Sequence, residues 1–226
     1  MPRRGPLPSG WALVFDLDGV IIDSNPTHTE AWRRYLNSLG IECDDIEARM
    51  HGRRNDEIVA DFIGTDLTPE QVFAHGAAKE RLYRELMRAE LESRLVPGIR
   101  EFLQWADSVP LAVASNAEPA NVEFVLDSAG LRRWFDVVVD GHQVQRPKPY
   151  PDIYELTAKL LGVPPDRCII FEDSPPGVAA GLAAGSKVVG VLTLAGSLSG
   201  VDFAIRDFLD PALKSWFETV LKGATG

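Results

Sequence analysis

The sequence predicts an α/β fold, in which a doubly wound parallel sheet carries a helical insertion after its first strand. Residues 11–15, "WALVF", form an apolar run without polar alternation, which is typical of a strand covered on both faces. From residue 97 onward, helix-like and strand-like segments alternate, as in parallel sheets with right-handed crossovers. Residues 26–94 show helix signals and no strand signal. With 226 residues and 45% hydrophobic composition, the chain can bury one large core and a smaller companion.

The insertion is predicted as a helical cap domain over residues 25–95. Its first two helices end at Gly40 and Gly64, because glycine readily takes the left-handed conformation that closes a helix. A third, long helix begins with Thr68 as N-cap and Pro69 in its first turn. The cap is therefore expected to be helical throughout and to follow directly on the first strand.

The remaining residues, 1–24 and 96–226, are predicted to form the α/β core domain. The elements expected there are helix 99–106, strand 110–115, helix 119–129, strand 136–140, helix 151–161, strand 167–171, helix 175–184 and strand 187–192. Open parallel sheets of this kind bind their ligands at the carboxyl ends of the strands. The ends of these strands are therefore where functional residues are expected.

Composition and charge exclude several classes of partner. A formal net charge of −10 argues against a surface that neutralises nucleic-acid phosphates, although a local basic pocket for a small phosphate remains compatible with it. No apolar segment predicts a signal peptide or a membrane span. Cys43 and Cys168 lie far apart and match no metal-ligand spacing, so both are interpreted as reduced thiols. We expect a cytoplasmic monomer that binds a small molecule, and neither nucleic acid nor membrane.

Polar side chains follow four predicted strands near the point where each ends. They are Asp16 with Asp18, Ser115 with Asn116, Lys148, and Glu172 with Asp173. A single aspartate at such a place is usually a helix N-cap or a turn residue. A lysine together with paired acids at two separate strand ends exceeds what caps and turns require. The pattern therefore predicts a polar crevice at one edge of the sheet.

The predicted crevice needs a cation, because several carboxylates in a partly dry site repel one another. Oxygen ligands without cysteine or histidine in these segments favour Mg²⁺ over zinc. The Lys148 ammonium and the Ser115 hydroxyl can then hold a phosphoryl group. With its charge offset, one carboxylate can attack phosphorus while a second acts as general acid and base. The predicted chemistry is phosphoryl transfer with Mg²⁺ as cofactor.

Four segments, "DLDGVIIDS", "SN", "RPKPYPDIY" and "FEDSPPG", resemble in order and spacing the four motifs of the haloacid dehalogenase superfamily of phosphotransferases. The resemblance implies that Asp16 is the nucleophile that forms a phosphoaspartate. It implies that Asp18 protonates the leaving group and then activates water or an acceptor hydroxyl, which argues against the dehalogenating branch. Ser115 and Asn116 would hold the phosphoryl oxygens, and Lys148 would bridge the phosphate and the nucleophile.

The same resemblance implies the metal ligands. Asp16, the backbone carbonyl of Asp18, and Asp173 would bind Mg²⁺. Glu172 would either join them or lie just behind them. We therefore name Asp16, Asp18, Glu172 and Asp173 as the predicted metal site.

The helical insertion resembles the cap of the β-phosphoglucomutase-like branch of that superfamily. His28 and Trp32 lie one helical turn apart, as residues near the acid/base aspartate do in that branch, although a buried histidine beside a core tryptophan is an equal alternative. "HGRRNDEIV" resembles the cap segment whose arginine grips a distal phosphate or sugar. Arg54 is the better match and Arg53 the alternative, while a solvated basic pair is as compatible with the pattern.

Lys79 is predicted to lie on the apolar face of the long cap helix. That face is marked by Val72, Phe73, Gly76, Tyr83 and Leu86. A lysine on such a face must extend to solvent or face a polar cavity. The resemblance to the mutase branch favours contact with substrate.

The sequence favours a Mg²⁺-dependent phosphatase that acts on a small phosphorylated metabolite, with a sugar phosphate as the expected class. Asn116 is commoner in simple phosphatases than in the mutase branch, and Pro147 stands where the family often has glycine before the motif lysine. Two alternatives stay open. One is a β-phosphoglucomutase, and the other is a catalytically idle binding or scaffold protein.

Overall fold

The computed structural model describes residues 10–50, 53, 55–194 and 196–222, and these residues form a six-stranded parallel sheet. Its strands are β1 (Ala12–Phe15), β2 (Leu111–Ala114), β3 (Val137–Val139), β4 (Cys168–Glu172), β5 (Lys187–Val191) and β6 (Phe203–Ile205). They are ordered β3-β2-β1-β4-β5-β6, so the first strand of the chain lies in the middle of the sheet. The predicted doubly wound α/β fold is confirmed.

Helices connect the strands and fill the insertion. In chain order they are α1 (Asn25–Ser38), α2 (Ile46–Met50), α3 (Asn55–Phe62), α4 (Pro69–Arg94), α5 (Ile99–Trp105), α6 (Pro119–Ser128), α7 (Asp152–Leu161), α8 (Pro175–Ala183) and α9 (Pro211–Lys222). The chain divides into two compact units, which we call the core and the cap. The core comprises residues up to Asp23 and from Arg94 onward, and the cap is Ser24–Ser93.

The centre of the sheet is apolar and buried, and β1 there has a strand on each side. Leu13 pairs with Leu111 of β2 and with Ile169 of β4, and β1 is buried along its whole length. Phe15 stacks on Phe171 of β4 with ring centroids 4.7 Å apart. This packing fixes the positions at which β1 and β4 end, and it therefore also fixes the positions of the residues that follow them.

The cap has its own apolar core, shared by α1, α2 and α3. Its buried members are Trp32, Leu36, Ile46, Met50, Ile58, Val59 and Phe62. The long helix α4 begins as predicted: the Gln71 amide donates to Thr68 Oγ1, and the Thr68 amide donates to Gln71 Oε1. This reciprocal pair is a capping box, which satisfies two backbone donors that a helix N-terminus leaves unpaired.

The buried face of α4 differs from the predicted one. Phe73 is 68% exposed and Leu86 is half-buried, whereas Met87 is fully buried. The face is formed by Gly76, Lys79, Glu80, Tyr83, Met87 and Leu91. The predicted stripe is therefore wrong at two positions, because the packed neighbours of α4 select a face that includes two charged residues.

Within the described residues, no helix combines the length and the apolar character that crossing a bilayer requires. The longest one, α4, is interrupted by charged residues along its whole length.

Candidate active site

The ends of β1 and β4 bring three carboxylates together. Asp16 directly follows β1, Glu172 is the last residue of β4, and Asp173 follows it. The Asp16 amide donates to the Phe171 carbonyl at 3.0 Å, so the two strand ends lie side by side. One ligand oxygen from each of the three carboxylates lies within 4.8 Å of the others, and all three residues are buried.

Lys148 reaches this cluster from the loop between β3 and α7. Its Nζ donates to Glu172 Oε1 at 2.6 Å and to the Ala114 carbonyl at 3.1 Å. It also lies 2.9 Å from Asp16 Oδ1, as an ion pair whose angle falls short of a hydrogen bond. The side chain of Lys148 is only 5% exposed, so the ammonium is held inside the protein by these oxygens.

Glu172 is the most enclosed of the three acids. It is 0% exposed, and the Tyr154 hydroxyl donates to its Oε1 at 2.7 Å. Its Oε2 accepts from the amides of Asp173 and Ser174 at 3.0 and 3.2 Å and from Ser174 Oγ at 3.0 Å. Gly177 is required beside it, because a Cβ there would lie 1.8 Å from Glu172 Oε1.

The cluster carries more negative than positive charge. Burial raises the pKa of Asp16 to about 7; the charges of Glu172 and Asp18 also raise it, and Lys148 opposes them. Burial, followed by the charges of Glu172 and Asp16, raises the pKa of Asp173 well above its usual value. Burial alone would lower the pKa of Lys148, but the charges of Asp16 and Glu172 outweigh it and raise that pKa. The excess negative charge calls for a further cation.

The ligand atoms of this cluster fit a small, hard divalent cation. The cluster offers only oxygen ligands, and among the described residues no aligned hydrogen-bond donor reaches the buried Asp16 Oδ1. Gly19, at φ +74°, lets the turn after β1 pass against Asp173, since a Cβ there would lie 1.8 Å from Asp173 Oδ2. Asp16 and Asp173 lie where they could both bind such an ion, while the Asp18 side chain is outside the three-carboxylate group.

The other core residues singled out from the sequence lie at the same edge of the sheet. Ser115 follows β2 and is buried, and its Oγ accepts from the Ala117 amide at 3.2 Å. Asn116 Oδ1 accepts from the Lys148 amide at 3.4 Å, which links the end of β2 to the lysine loop. Asp18 lies half-buried in the turn that follows β1.

A second charged cluster is buried inside the cap. Lys79 is 2% exposed, and its Nζ lies 2.7 Å from His28 Nδ1 and 2.9 Å from Glu80 Oε1. Asn55 Nδ2 donates to the same Glu80 oxygen at 2.7 Å. Lys79 therefore does not extend to solvent, and its ammonium contacts polar groups of α1 and α4.

Aromatic rings border this cluster. The His28 ring is parallel to the Tyr83 ring, with centroids 3.8 Å apart. The Lys79 ammonium lies 5.4 Å from the centre of the Trp32 ring, and Trp32 is fully buried. Three of the predicted cap residues, His28, Trp32 and Lys79, are thus neighbours. The described part of the chain offers no hydrogen-bond acceptor to Trp32 Nε1.

The two predicted arginines of the cap have different outcomes. Arg54 lies outside the described residues. Arg53 donates to Asp61 Oδ2 at 2.8 Å, and its guanidinium also donates to the carbonyls of Arg49 and Glu57. Arg53 is therefore committed to an ion pair and backbone contacts on the exposed side of the cap.

Sequence reasoning did not identify Tyr154, Glu80 or Asn55. Tyr154 lies within the "RPKPYPDIY" segment, but nothing in that segment indicates that its hydroxyl reaches the end of β4. Glu80 is adjacent to Lys79, and neighbouring charges of opposite sign on a long helix are usually solvated. Only the packing of α1, α3 and α4 shows that this pair is buried.

Comparison with known proteins gives a consistent result. A family model described as haloacid dehalogenase-like hydrolase matches residues 12–185. Fructose-1-phosphate phosphatase YqaB of Escherichia coli (strain K12) is 36% identical over 186 residues, covering 80% of this chain and 96% of the relative. A phosphorylated carbohydrates phosphatase of Thermotoga maritima is 34% identical, covering 80% and 85%. Among solved structures, β-phosphoglucomutase from Clostridium difficile aligns with TM-score 0.79 and 25% identity, covering 92% and 97%.

Proposed function

The chain belongs to the haloacid dehalogenase-like hydrolase family, and from that premise we propose that it is a Mg²⁺-dependent phosphatase acting on a small sugar phosphate. The observation that carries the proposal is the buried cluster of Asp16, Glu172 and Asp173 around Lys148. Such a cluster suits a site that takes up a cation and a phosphoryl group together. The activities for which the relatives from Escherichia coli and Thermotoga maritima are named support the substrate class.

In the proposed reaction, a carboxylate oxygen of Asp16 attacks the phosphorus atom and the ester oxygen leaves. Asp18 gives that leaving oxygen its proton, so a sugar hydroxyl departs and a phosphoaspartate remains on Asp16. Asp18 then takes a proton from a water molecule that attacks the same phosphorus. Inorganic phosphate departs and the Asp16 carboxylate is restored.

Three further groups would hold the phosphoryl oxygens during both steps. The Lys148 ammonium lies beside Asp16 and would neutralise the negative charge that develops there. Asn116 uses its carbonyl oxygen to accept from the Lys148 amide, which leaves its NH₂ group as a donor for phosphate. The Ser115 hydroxyl is the third donor. Mg²⁺ held by Asp16, Asp173 and the Asp18 carbonyl would neutralise charge on the transferred group.

We assign recognition of the leaving sugar to the cap residues His28, Trp32, Arg54 and Lys79. The Lys79 ammonium can only donate, so His28 Nδ1 accepts, and the ring proton is on Nε2. For Arg54 the assignment comes from the sequence resemblance alone.

A second candidate is a β-phosphoglucomutase, which the similarity to the Clostridium difficile enzyme supports. A mutase must exclude water and let a bisphosphate reorient, which requires a cap arginine such as Arg54 on the distal phosphate. Asn116 in the core favours the phosphatase.

The deciding experiment is phosphate release from a panel of phosphorylated sugars with Mg²⁺, run beside conversion of β-glucose 1-phosphate with a bisphosphate activator. A phosphatase releases one inorganic phosphate per turnover without activator, and Arg54→Ala changes mainly KM. Conversion that outpaces phosphate release and collapses in Arg54→Ala would establish the mutase. If neither assay showed turnover, the remaining alternative would be a catalytically idle binding or scaffold protein.

A further inference from the structure

We propose that Tyr154 is a positioning residue, which holds Glu172 so that Glu172 orients the Lys148 ammonium toward Asp16. The carboxylate of Glu172 then binds Lys148, and the carboxylates of Asp16 and Asp173 bind the metal ion. The inference rests on the proposed function, because it concerns the geometry of the same phosphoryl site.

The first support is that both oxygens of Glu172 are already occupied. Oε1 accepts from Lys148 Nζ and from the Tyr154 hydroxyl, at 2.6 and 2.7 Å. Oε2 accepts from the Asp173 amide and from both the amide and the hydroxyl of Ser174. A carboxylate offers about four lone-pair sites, and five donors point at this one. Ligation of a metal by Glu172 would require the loss of at least one of these partners.

The second support is the confinement of Glu172. It is the final residue of β4 and is fully buried, and the first turn of α8 closes over it. Gly177 of that turn could not carry even a methyl group without colliding with the carboxylate. The Ser174 side chain that donates to Glu172 also caps α8 by accepting from the Gly177 amide. Glu172 is therefore part of the packed end of the strand, with little freedom to turn toward another ligand.

The third support is the double contact of Tyr154 with the lysine and its partner. Its hydroxyl shares Glu172 Oε1 with Lys148, and its ring lies 5.0 Å from Lys148 Nζ. Tyr154 lies in the first turn of α7, only six positions after Lys148, and is 2% exposed. One side chain thus borders the ammonium and also limits how strongly Glu172 can attract it.

The physical role follows from this sharing. Lys148 lies between Glu172 at 2.6 Å and Asp16 at 2.9 Å, and the closer partner has the aligned hydrogen bond. Removing the phenol hydroxyl leaves Glu172 Oε1 with less of its charge satisfied, so its attraction for the ammonium increases. The ammonium then moves toward Glu172 and away from Asp16, where phosphate would bind.

The test compares Tyr154→Phe with the wild-type protein, and uses Tyr150→Phe as the matched control. Tyr150 is in the same segment but is 49% exposed and touches Arg146, not the carboxylate cluster. Tyr154→Phe keeps the ring and removes only the hydroxyl. We expect its kcat to fall and its KM to rise, lowering kcat/KM by about tenfold, as for loss of an outer hydrogen-bond partner, while Tyr150→Phe stays at wild-type rates.

Two measurements separate this role from its alternatives. Calorimetric titration should give Tyr154→Phe a Mg²⁺ affinity close to that of wild type, because the phenol hydroxyl donates to Glu172 and leaves the carboxylates of Asp16 and Asp173 in place. A Mg²⁺ affinity about tenfold weaker in Tyr154→Phe would mean that the hydroxyl acts through the metal site and would overturn the proposal. A Tyr154→Phe protein with wild-type kcat, even one with a lower Tm, would show that the hydroxyl has only a structural role.

The proposal can be tested even if no sugar phosphate is turned over. Inorganic phosphate, titrated calorimetrically in the presence of Mg²⁺, should bind about tenfold more weakly to Tyr154→Phe than to the Tyr150→Phe control. Equal phosphate affinity in the two variants would contradict the role of Tyr154 without reference to turnover. Absence of turnover together with the expected loss of affinity would instead contradict only the proposed reaction.

Discussion

Each unit of this protein buries the side chain of a lysine beside a glutamate, but the two clusters balance their charges differently. In the core, Lys148 pairs with Asp16 and Glu172, and the carboxylate of Asp173 lies in the same group. In the cap, the Lys79 ammonium contacts the carboxylate of Glu80 and the imidazole of His28, and the Asn55 amide donates to the same Glu80 oxygen. Counted over these described side chains, the cap cluster pairs one ammonium with one carboxylate, whereas the core cluster pairs one ammonium with three carboxylates.

The difference teaches how buried charge can serve two purposes. A balanced, fully hydrogen-bonded pair fixes the helices that contribute to it and has no need of a further ion. In an unbalanced cluster, repulsion between the buried carboxylates destabilises the folded protein until a cation binds. The bound cation can then attract an anionic substrate. We therefore expect changes in the core cluster to affect turnover first, and changes in the cap cluster to affect stability first.

The largest effect is expected for Asp16→Asn. The amide keeps the shape of the side chain but cannot attack phosphorus, so turnover should fall by at least about a thousandfold while the fold remains. Phosphate release and circular dichroism measure the two properties. Asp107→Asn, at an exposed position of the core, is the control and should retain wild-type turnover. More than a few per cent of wild-type turnover in Asp16→Asn would exclude the phosphoaspartate mechanism.

The next effect is the stability of the cap. Lys79→Met removes the ammonium that neutralises buried Glu80, and breaking such a pair should lower the free energy of unfolding by about 3–5 kcal/mol. Lys79→Met with Glu80→Gln should recover more than half of that loss, because the buried carboxylate that Lys79 pairs with is then removed as well. Urea unfolding measures both. A loss below about 1 kcal/mol for Lys79→Met would mean that the cap cluster is not the balanced pair described above.

Lys148→Met makes the same change in the core and sharpens the contrast. There we expect turnover to collapse, while added Mg²⁺ restores much of the lost stability because it can neutralise the same carboxylates. Equal responses of the Lys79 and Lys148 variants to Mg²⁺ would remove the distinction between the two clusters.

A smaller effect is expected from the metal itself. Mg²⁺ at about a hundred times its Kd should stabilise the folded protein by about 2.7 kcal/mol, seen as a higher Tm. Asp173→Ala should lose this shift together with turnover, and Thr68→Ala in the cap should keep it. If the wild-type protein showed no Mg²⁺-dependent shift and remained active in excess chelator, the metal assignment would be wrong.

The smallest effect concerns the start of α4. Thr68→Ala removes the hydroxyl that accepts from the Gln71 amide, which should cost about 1 kcal/mol of stability. Turnover at a temperature well below Tm should remain unchanged. Thr68→Ser, which keeps the capping oxygen, is the control in the same unfolding experiment. A loss of stability as large as that of Lys79→Met would mean that the capping box at Thr68 stabilises α4 as much as its buried charges do.

The sequence predicts the centre of the sheet well because apolar runs without alternation mark strands covered on both faces. The strands β1 to β5 all lie within the predicted segments, apart from the last residue of β4. The edge strand β6 was not predicted, since it has three residues and exposes Ala204. The helix α2 has only five residues, too few to show a helical period. Short elements of this kind depend on their neighbours in space.

The same reasoning explains which site residues could be foreseen. Asp16 and Asp173 directly follow buried strands, so topology alone brings them to one edge. Tyr154 and Glu80 act through hydrogen bonds that cross between elements, and their neighbours in sequence do not indicate those partners. The face that α4 buries is likewise set by packing, which adds Glu80 to the predicted Lys79 and leaves Phe73 exposed.

The central place of β1 also has a consequence for the order of synthesis. β1 is made first, but its two neighbours, β2 and β4, begin only at Leu111 and Cys168. At about 5–20 residues per second, the roughly 150 residues between β1 and the end of β4 take about 8–30 s to translate. The cap is complete long before then, and it forms a compact unit of its own. Until β4 is made, β1 therefore has at least one unpaired edge, and an unpaired edge of an apolar strand favours aggregation.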